Sequence, residues 1–273
     1  KSQRGQKINK SPIQGISETL KIECRTPVSL KDNKKEYNYL KELQADIAIV
    51  VAYGQIIPKE YLSLVKKGFI NVHASLLPKW RGAAPIQRSI MNLEKETGVS
   101  IMKIGEKLDT GPVCNSYKIE IMAGDNSETI AEKLSALAAE KISDNIDGIL
   151  EDKIEFKEQN CNEVSYAPKI KKTEGQIEWN EAAENIIGKI NGLYPNPGAF
   201  FTFNGERYKI LKASLALGTG KIGEVLDNYL EISCGNKKSI KVLEIQRQGK
   251  RPQNISEFML GSQIKKGSKL NNA

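Results

Sequence analysis

An uninterrupted run of apolar residues over positions 47–53 (IAIVVAY) constrains the fold of this chain most strongly. The run is too short for a membrane helix, which needs about 20 apolar residues. It is rich in β-branched residues, which favour strands, and it does not alternate with polar ones. We therefore expect a strand over 46–52 that is buried on both faces, as in a parallel sheet.

Strand and helix patterns alternate on both sides of this run, and proline or glycine residues mark several of the boundaries. A capping box at Asp125 and Glu128 is expected to start the last helix of this half. The further predicted elements are a helix over 58–67, strands over 69–72, 99–104 and 113–121, a helix from Pro85 and a helix over 127–150. This alternation is typical of an α/β fold with a mostly parallel, Rossmann-like sheet.

The texture of the sequence changes in the second half. Residues 152–172 are charged and weakly periodic, and a short helix and several short strands follow them. Asn204-Gly205 lies between two apolar runs, which is a strong signal for a hairpin. We predict a first domain over 1–156, a linker over 157–170 and a small, OB-like β-barrel domain over 171–273.

Positive charge is concentrated in the second half. Residues 166–273 carry 17 Lys and Arg against 10 Asp and Glu, whereas the whole chain has a net charge of +8. A basic domain attached to a nearly neutral one favours a polyanionic partner, although a solvated Lys-rich surface explains the same charge equally well.

The cysteines indicate neither a metal centre nor a disulfide framework. Cys24, Cys114, Cys161 and Cys234 are scattered and form no Cys-x-x-Cys pair. This spacing argues against zinc and fits a reducing compartment, so we expect a cytoplasmic protein without a metal site.

Three polar residues are the candidates for chemistry. His73 is the single histidine and follows a predicted buried strand, Asn71 lies two positions earlier on the same face, and Asp109 lies in a tight turn. An amide, an imidazole and a carboxylate together suit acyl transfer to an amine, which needs oxyanion donors and a proton acceptor. Each residue alone is more typical of an ordinary turn or strand end.

Two longer segments carry a family resemblance. The segment FINVHASLLPKWRGAAPIQRSI, with its Asn-x-His-x-Ser-Leu-Leu-Pro core, and the segment TGVSIMKIGEKLDTGPV resemble the two motifs of 10-formyltetrahydrofolate-dependent formyltransferases. The sequence from Trp80 to Gln87 (WRGAAPIQ) resembles the branch of that family that acts on methionyl-tRNA. The likeness extends over nearly the whole chain, and the second half resembles that branch's tRNA-binding barrel.

The resemblance implies roles for individual residues. Asn71, His73 and Asp109 correspond to the family's catalytic trio. The segment around Tyr53–Pro58 (YGQIIP) is similar to the family's folate pocket. The implied contacts for the co-substrate 10-formyltetrahydrofolate are Gln55, Ile56, Ile57, Ser75, Leu76, Leu77, Pro78 and Leu108.

The resemblance also implies a tRNA partner. RGQKINKSP is similar to the basic loop that the family places at the acceptor end of initiator tRNA, with Arg4 and Lys7 as contacts. On the second domain the candidate phosphate contacts are Lys169, Lys171, Lys172, Lys209, Arg247, Lys250 and Arg251. The family has a strand, a helix and a second strand before the basic loop. This sequence lacks them, so we expect the sheet to expose a strand edge.

The expected activity is transfer of a formyl group from 10-formyltetrahydrofolate to the α-amine of methionyl initiator tRNA, by a monomer that has no contact with membranes. Two alternatives stay open. One is a formyltransferase of the same fold that acts on a nucleotide sugar or on glycinamide ribonucleotide, and the other is a tRNA-binding protein without catalysis.

Overall fold

The computed structural model describes residues 10–270. The elements of its first half are α1 (Pro12–Thr19), α2 (Lys34–Leu43), β1 (Ala48–Val50), α3 (Lys59–Leu62), β2 (Phe69–His73), β3 (Arg81–Gly82), α4 (Pro85–Met91), β4 (Glu96–Lys103), β5 (Val113–Glu120) and α5 (Ser127–Leu150). Those of its second half are β6 (Tyr166–Ala167), α6 (Ala183–Gly192), β7 (Ala199–Phe203), β8 (Glu206–Ala216), β9 (Glu231–Ser233), β10 (Ser239–Arg247), β11 (Gln253–Asn254) and α7 (Ile255–Leu260).

The first half is built on a four-stranded sheet in the order β1-β2-β4-β5. Strand β2 pairs in parallel with β1 and antiparallel with β4, and β4 and β5 form an antiparallel hairpin. Helix α5 covers one face, where Ile130 and Leu134 pack against Val72 and Val99. The α/β class is confirmed, but the described part of the sheet is mixed, because only β1 and β2 run in parallel.

Strand β1 is less buried than its sequence predicts. Ile49 is 38% exposed and Val51, just after the strand, is 57% exposed. The expected burial on both faces is therefore wrong for the described residues. The physical reason is position: β1 is the outermost described strand at its side of the sheet, so one edge and part of its surface face solvent.

Helix α5 has the predicted bounds but a different cap. The side chain of Asn126 accepts hydrogen bonds from the backbone N–H groups of Glu128 and Thr129. The Thr129 hydroxyl oxygen in turn accepts a hydrogen bond from the Asn126 N–H. Asp125 instead binds Lys133 and the Met122 N–H. An amide oxygen one residue nearer the helix thus takes the capping place that the sequence analysis gave to Asp125.

The predicted helix over 58–67 is also shorter in the structure. Helix α3 ends at Leu62, and the chain continues through turns in which Leu64 and Gly68 donate to carbonyl groups three residues earlier. Val65 is buried there with Phe69 against Tyr61, so burial of apolar side chains replaces helical periodicity.

The second half is a curled antiparallel sheet, as expected for an open barrel. Its strands run β11-β10-β8-β7, with β9 paired to β10, and the Asn204-Gly205 turn joins β7 to β8 as predicted. A large apolar core that includes Trp179, Phe201 and Tyr208 fills the sheet, and α6 packs against it. None of the helices within residues 10–270 is long and apolar enough to cross a membrane.

Residues 157–170 connect the two halves and pack against the first. Lys157 forms an antiparallel bridge with Val113, and β6 pairs in parallel with β3, so that Arg81 lies opposite Tyr166 and Gly82 opposite Ala167. The division at 156 and 170 stays a prediction, but this connecting segment is ordered against the sheet over much of its length.

Candidate active site

Asn71 and His73 lie on β2, which is flanked by strands on both sides. In the sheet Asn71 is opposite Met102 and His73 is opposite Ser100. Alternation along the strand places both side chains on the face opposite the α5 layer, and His73 is 6% exposed while Asn71 is half-buried. The pair is thus held by a strand inside the sheet.

Asp109 comes from the turn of the β4–β5 hairpin and reaches the same place. Its Oδ2 lies 3.8 Å from His73 Nδ1, and the backbone N–H of Gly82 donates to the same oxygen at 2.8 Å. The Asp109 side chain is 14% exposed. The structure therefore brings together the three residues that the sequence analysis singled out, although their catalytic roles remain a prediction.

Both ring nitrogens of His73 face oxygen atoms. Nε2 lies 3.0 Å from the carbonyl oxygen of Trp80, and Nδ1 faces Asp109. A carbonyl oxygen only accepts hydrogen bonds, so Nε2 carries a hydrogen. An imidazolium ring can donate at both nitrogens, which is the form that stabilises an oxyanion or delivers a proton.

Asn71 is available to a ligand. Its side chain makes no hydrogen bond to any other residue in 10–270. A half-buried amide at a strand end, beside an imidazole and a carboxylate, has the composition of an oxyanion site.

The segment after His73 is shaped by internal hydrogen bonds. Ser75 is fully buried, its hydroxyl donates to the Lys79 carbonyl, and its own carbonyl accepts from Ser100 Oγ. The backbone N–H of Leu77 also donates to Ser100 Oγ. The Ser75 hydroxyl therefore shapes this turn, and the folate contact that the resemblance implied for Ser75 stays a prediction.

The other predicted folate residues differ in exposure: Ile56 and Leu108 are exposed, and the half-buried ones are Gln55, Ile57, Leu76, Leu77 and Pro78. Ile56 is 89% exposed and Leu108 is 65% exposed. An ion pair of 2.6 Å between Lys59 and Glu106 joins the 55–59 segment to the hairpin turn. Two apolar side chains on adjacent exposed segments offer a surface for a planar ring, while Ile57 packs inward against the Tyr61 cluster.

The candidate tRNA contacts do not all converge. Lys169 and Lys172 line a cavity of about 610 Å³ between the two halves, together with Arg207 and Lys209. Arg247 instead forms an ion pair with Glu206. Lys250 is exposed outside the cavity lining, and Arg4 and Lys7 lie outside the described residues.

Sequence reasoning missed Arg207, whereas Lys209 was among its candidate phosphate contacts. They are two residues apart on β8, so both side chains point to the cavity face. Burial lowers the pKa of both side chains, and repulsion by Arg207 lowers the pKa of Lys209 further. The position of Arg207 two residues before Lys209 on a predicted strand was the available signal.

No group of three or more His, Cys, Asp or Glu residues suited to a metal ion occurs in the part of the chain that the structure describes. The expectation that no metal takes part stays a prediction.

A mixed sheet with three polar residues at its strand ends is joined here to an antiparallel half-barrel. Comparison with known protein families shows which family has this arrangement. Residues 3–146 match the formyl transferase family and residues 169–263 match the formyl transferase C-terminal domain. The chain therefore belongs to the formyl transferase family, as the resemblance implied.

Within that family the similar proteins are methionyl-tRNA formyltransferases. The one from Pelagibacter ubique (strain HTCC1062) is 71% identical over 272 residues, covering 100% of this chain and 88% of that protein. The one from Jannaschia sp. (strain CCS1) is 41% identical, covering 98% and 87%. The solved structure of WlaRD, a sugar 3N-formyl transferase in the presence of dTDP and 5-N-formyl-THF, shares the fold, with a TM-score of 0.68 and 21% identity over 89% of this chain and 83% of its own.

Proposed function

We propose that this chain transfers the formyl group of 10-formyltetrahydrofolate to the α-amine of methionyl initiator tRNA, the reaction that prepares the first aminoacyl-tRNA of translation. The observation that carries the proposal is the 71% identity, over the whole chain, with a methionyl-tRNA formyltransferase. The convergence of Asn71, His73 and Asp109 supplies the chemistry.

In the proposed mechanism the amine adds to the formyl carbon, and negative charge develops on the formyl oxygen. Asn71 donates its amide N–H to that oxygen, and His73 stabilises it as an imidazolium. Asp109, directly or through a water, takes the proton that the amine releases. The leaving N10 nitrogen gains a proton from His73. Transfer of the proton from Asp109 to His73 then restores both groups, so that the proton lost at one nitrogen is gained at the other.

The folate site is proposed at the exposed segments around Ile56 and Leu108. Apolar side chains on both sides suit a pterin ring, and backbone groups of Gln55 and Ile57 suit its edge. The solved structure of similar fold that was determined with 5-N-formyl-THF supports a folate as the formyl donor.

The tRNA site is proposed to include the basic cavity between the halves. Lys169, Lys172, Arg207 and Lys209 bring four cations to one cavity, and no acidic residue is among its lining residues. The Nε atom of Arg207 is buried without a hydrogen-bond partner in the described residues. Four close cationic side chains, one of which has an unpaired N–H donor, favour the binding of a phosphate group of the RNA backbone in this cavity.

The proposal is tested by comparing amine substrates. We expect the full chain, given 10-formyltetrahydrofolate, to formylate charged initiator tRNA at least 100-fold faster per unit concentration than an amino sugar nucleotide or glycinamide ribonucleotide. Equal or faster transfer to either small amine would overturn the tRNA proposal and favour the other branches of the family.

The same assay tests the non-catalytic alternative. His73→Ala is expected to abolish transfer while tRNA binding persists. If the unaltered chain binds tRNA without ever transferring a formyl group, the protein is a binding module. Cytoplasmic location and a monomeric state remain predictions alongside this proposal.

A further inference from the structure

Gln159, in the segment that connects the two halves, is bonded to the turn that carries Asp109. Its Nε2 donates to the carbonyl oxygens of Asp109 at 2.9 Å and Gly111 at 2.8 Å. The residue lies between the two family-matched segments, which end at 146 and begin at 169. No role has been assigned to it above, and its spacing in the sequence carries no motif.

The other side of the Gln159 amide is fixed by Arg81. Its Oε1 accepts from Arg81 Nε at 3.0 Å and from Nη2 at 2.7 Å, and Arg81 is 6% exposed. The amide thus has its donor against two carbonyl groups and its acceptor against a guanidinium. The opposite orientation would oppose donor to donor and acceptor to acceptor, so the hydrogen-bond partners fix the assignment.

The backbone and the side chain of Asp109 are both connected to the dipeptide Arg81-Gly82. Arg81 bonds Gln159, which bonds the Asp109 carbonyl, and the N–H of Gly82 donates to the Asp109 carboxylate. Asp109 has φ of 50°, a left-handed conformation that is unfavourable for a non-glycine residue. A strained backbone of this kind persists only when its surroundings over-determine it.

The same connecting segment also fixes the partner of His73. Ser165 Oγ accepts from the Trp80 N–H at 2.9 Å, and the Ser165 carbonyl accepts from the Arg81 N–H at 2.9 Å. Trp80 has φ of 61°, and its carbonyl is the group that faces His73 Nε2. The residues on both sides of the imidazole are thus tied to the connecting segment.

We propose that Gln159 is a positioning residue that holds the Asp109 turn in the geometry needed for proton transfer, so that the segment between the domains completes the active site. This inference rests on the proposed function. Proton transfer between an imidazole, an amine and a carboxylate depends steeply on separation, and a displacement of about 1 Å costs up to about 100-fold in rate.

Two substitutions separate this role from a simpler one. Gln159→Ala removes both bonds. Gln159→Glu keeps an acceptor for Arg81, now as an ion pair, but places a carboxylate oxygen against the Asp109 and Gly111 carbonyls. We expect kcat to fall about tenfold or more in both variants, with KM for the tRNA within twofold. The matched control is Asn162→Ala, an exposed residue of the same segment, which should leave kcat unchanged.

A double-mutant cycle tests whether Gln159 acts through Asp109. In an Asp109→Asn background, Gln159→Ala should cause little further loss of kcat, because the group that it positions is already absent. Independently of turnover, backbone hydrogen exchange of residues 105–111 should quicken about tenfold in Gln159→Ala and not in Asn162→Ala.

The outcomes distinguish this inference from the proposed function. If the unaltered chain transfers no formyl group, the proposed function fails. If it is active but Gln159→Glu keeps kcat within twofold, then Gln159 only anchors Arg81 and the positioning role is wrong. Additive losses in the double-mutant cycle, or unchanged hydrogen exchange in Gln159→Ala, would overturn it as well.

Discussion

At the scale of single residues, His73 and Asp109 lie close together but form no direct hydrogen bond. The separation of 3.8 Å exceeds a hydrogen bond between a nitrogen and an oxygen, which spans about 2.7–3.2 Å. A bridging water or a small inward movement of the hairpin turn would therefore complete the link when substrates bind. Catalytic hydrogen bonds often tighten only in the substrate complex.

Asn71→Ala is expected to lower the rate of formyl transfer by about 100-fold to 1000-fold, because one donor to the developing oxyanion is lost. The melting temperature should hardly change, since the side chain of Asn71 makes no hydrogen bond to another residue in the described part of the chain. Steady-state kinetics and thermal denaturation check both statements.

Asn71→Asp is the matched variant for this prediction, because it keeps the shape of the side chain and removes the donor. A rate within tenfold of the unaltered protein in both variants would contradict the oxyanion role.

The sequence alone placed Asn71 and His73 on one strand face and Asp109 in a turn, but their grouping as a trio came from the resemblance of two motifs to the family. Gln159 was not predictable. It lies 50 positions after Asp109, and its partners there are backbone carbonyls, which place no constraint on residue type. Contacts from side chain to backbone across such a separation leave no pattern that periodicity or spacing reveals.

At the scale of elements, an ion pair joins the two halves at the end of α4. Arg88 binds Glu174 through two nitrogens, at 2.6 and 3.2 Å, and also donates to the Pro168 carbonyl. Glu174 follows the connecting segment in a short 3-10 helix, and its carboxylate also accepts the Lys171 N–H. The hydrogen bonds from Arg88 are the largest of the influences that lower the pKa of Glu174 below its ordinary value of 4.5.

Glu174→Gln is expected to lower the free energy of unfolding by about 1 kcal/mol at pH 7, the usual size of a partly exposed ion pair. A lowered pKa in the folded state means that this stabilisation is complete above pH 4.5. It is lost as the pH falls through the folded value, so the difference between the two proteins should shrink below pH 4.5.

Denaturant unfolding at several pH values measures this difference. Glu60→Gln is the control, because Glu60 is exposed and forms no ion pair within residues 10–270. A difference between Glu174→Gln and the unaltered protein that stays constant from pH 7 down to pH 3 would contradict the assignment.

The sequence predicted the bounds of a helix or strand correctly where interactions within that segment determine them. Helix α5 has a clear amphipathic period and a polar cap, and its predicted bounds are confirmed. The extent of α3 and the exposure of β1 depend on what packs beside them. Tertiary surroundings of that kind are not encoded in the periodicity of a single segment.

At the scale of the whole molecule, the two halves are packed closely as well as connected. Glycine at 188 and at 192 on α6 lets the end of α4 approach, since an added Cβ at Gly192 would lie 2.5 Å from Met91 Cγ. Ser127, at the start of α5, donates to the Gly192 carbonyl at 2.5 Å. The basic cavity lies in this region of contact, between Ala83 and Gln87 on one side and the β8 cations on the other.

Replacing one cavity lysine should reduce the salt dependence of tRNA binding. With Lys172→Gln we expect weaker binding at low salt. The slope of log affinity against log salt concentration should become shallower by about 0.7–0.9, the value for one phosphate contact. Filter binding at several salt concentrations measures the slope.

Lys237→Gln is the control, because it removes the same charge from an exposed turn of the same domain outside the cavity lining. Equal changes of slope in both variants would mean that the effect is one of general charge, and the cavity would lose its assigned role.

Residues 157–168 contact β3 and the β4–β5 turn. These contacts limit where the sequences of two related enzymes can be joined to make a working hybrid. A crossover placed before residue 157 would join the Gln159 and Ser165 of one parent to the Trp80, Arg81 and Asp109 of another. A crossover after residue 168 keeps these partners in their inherited combination and exchanges the C-terminal domain alone.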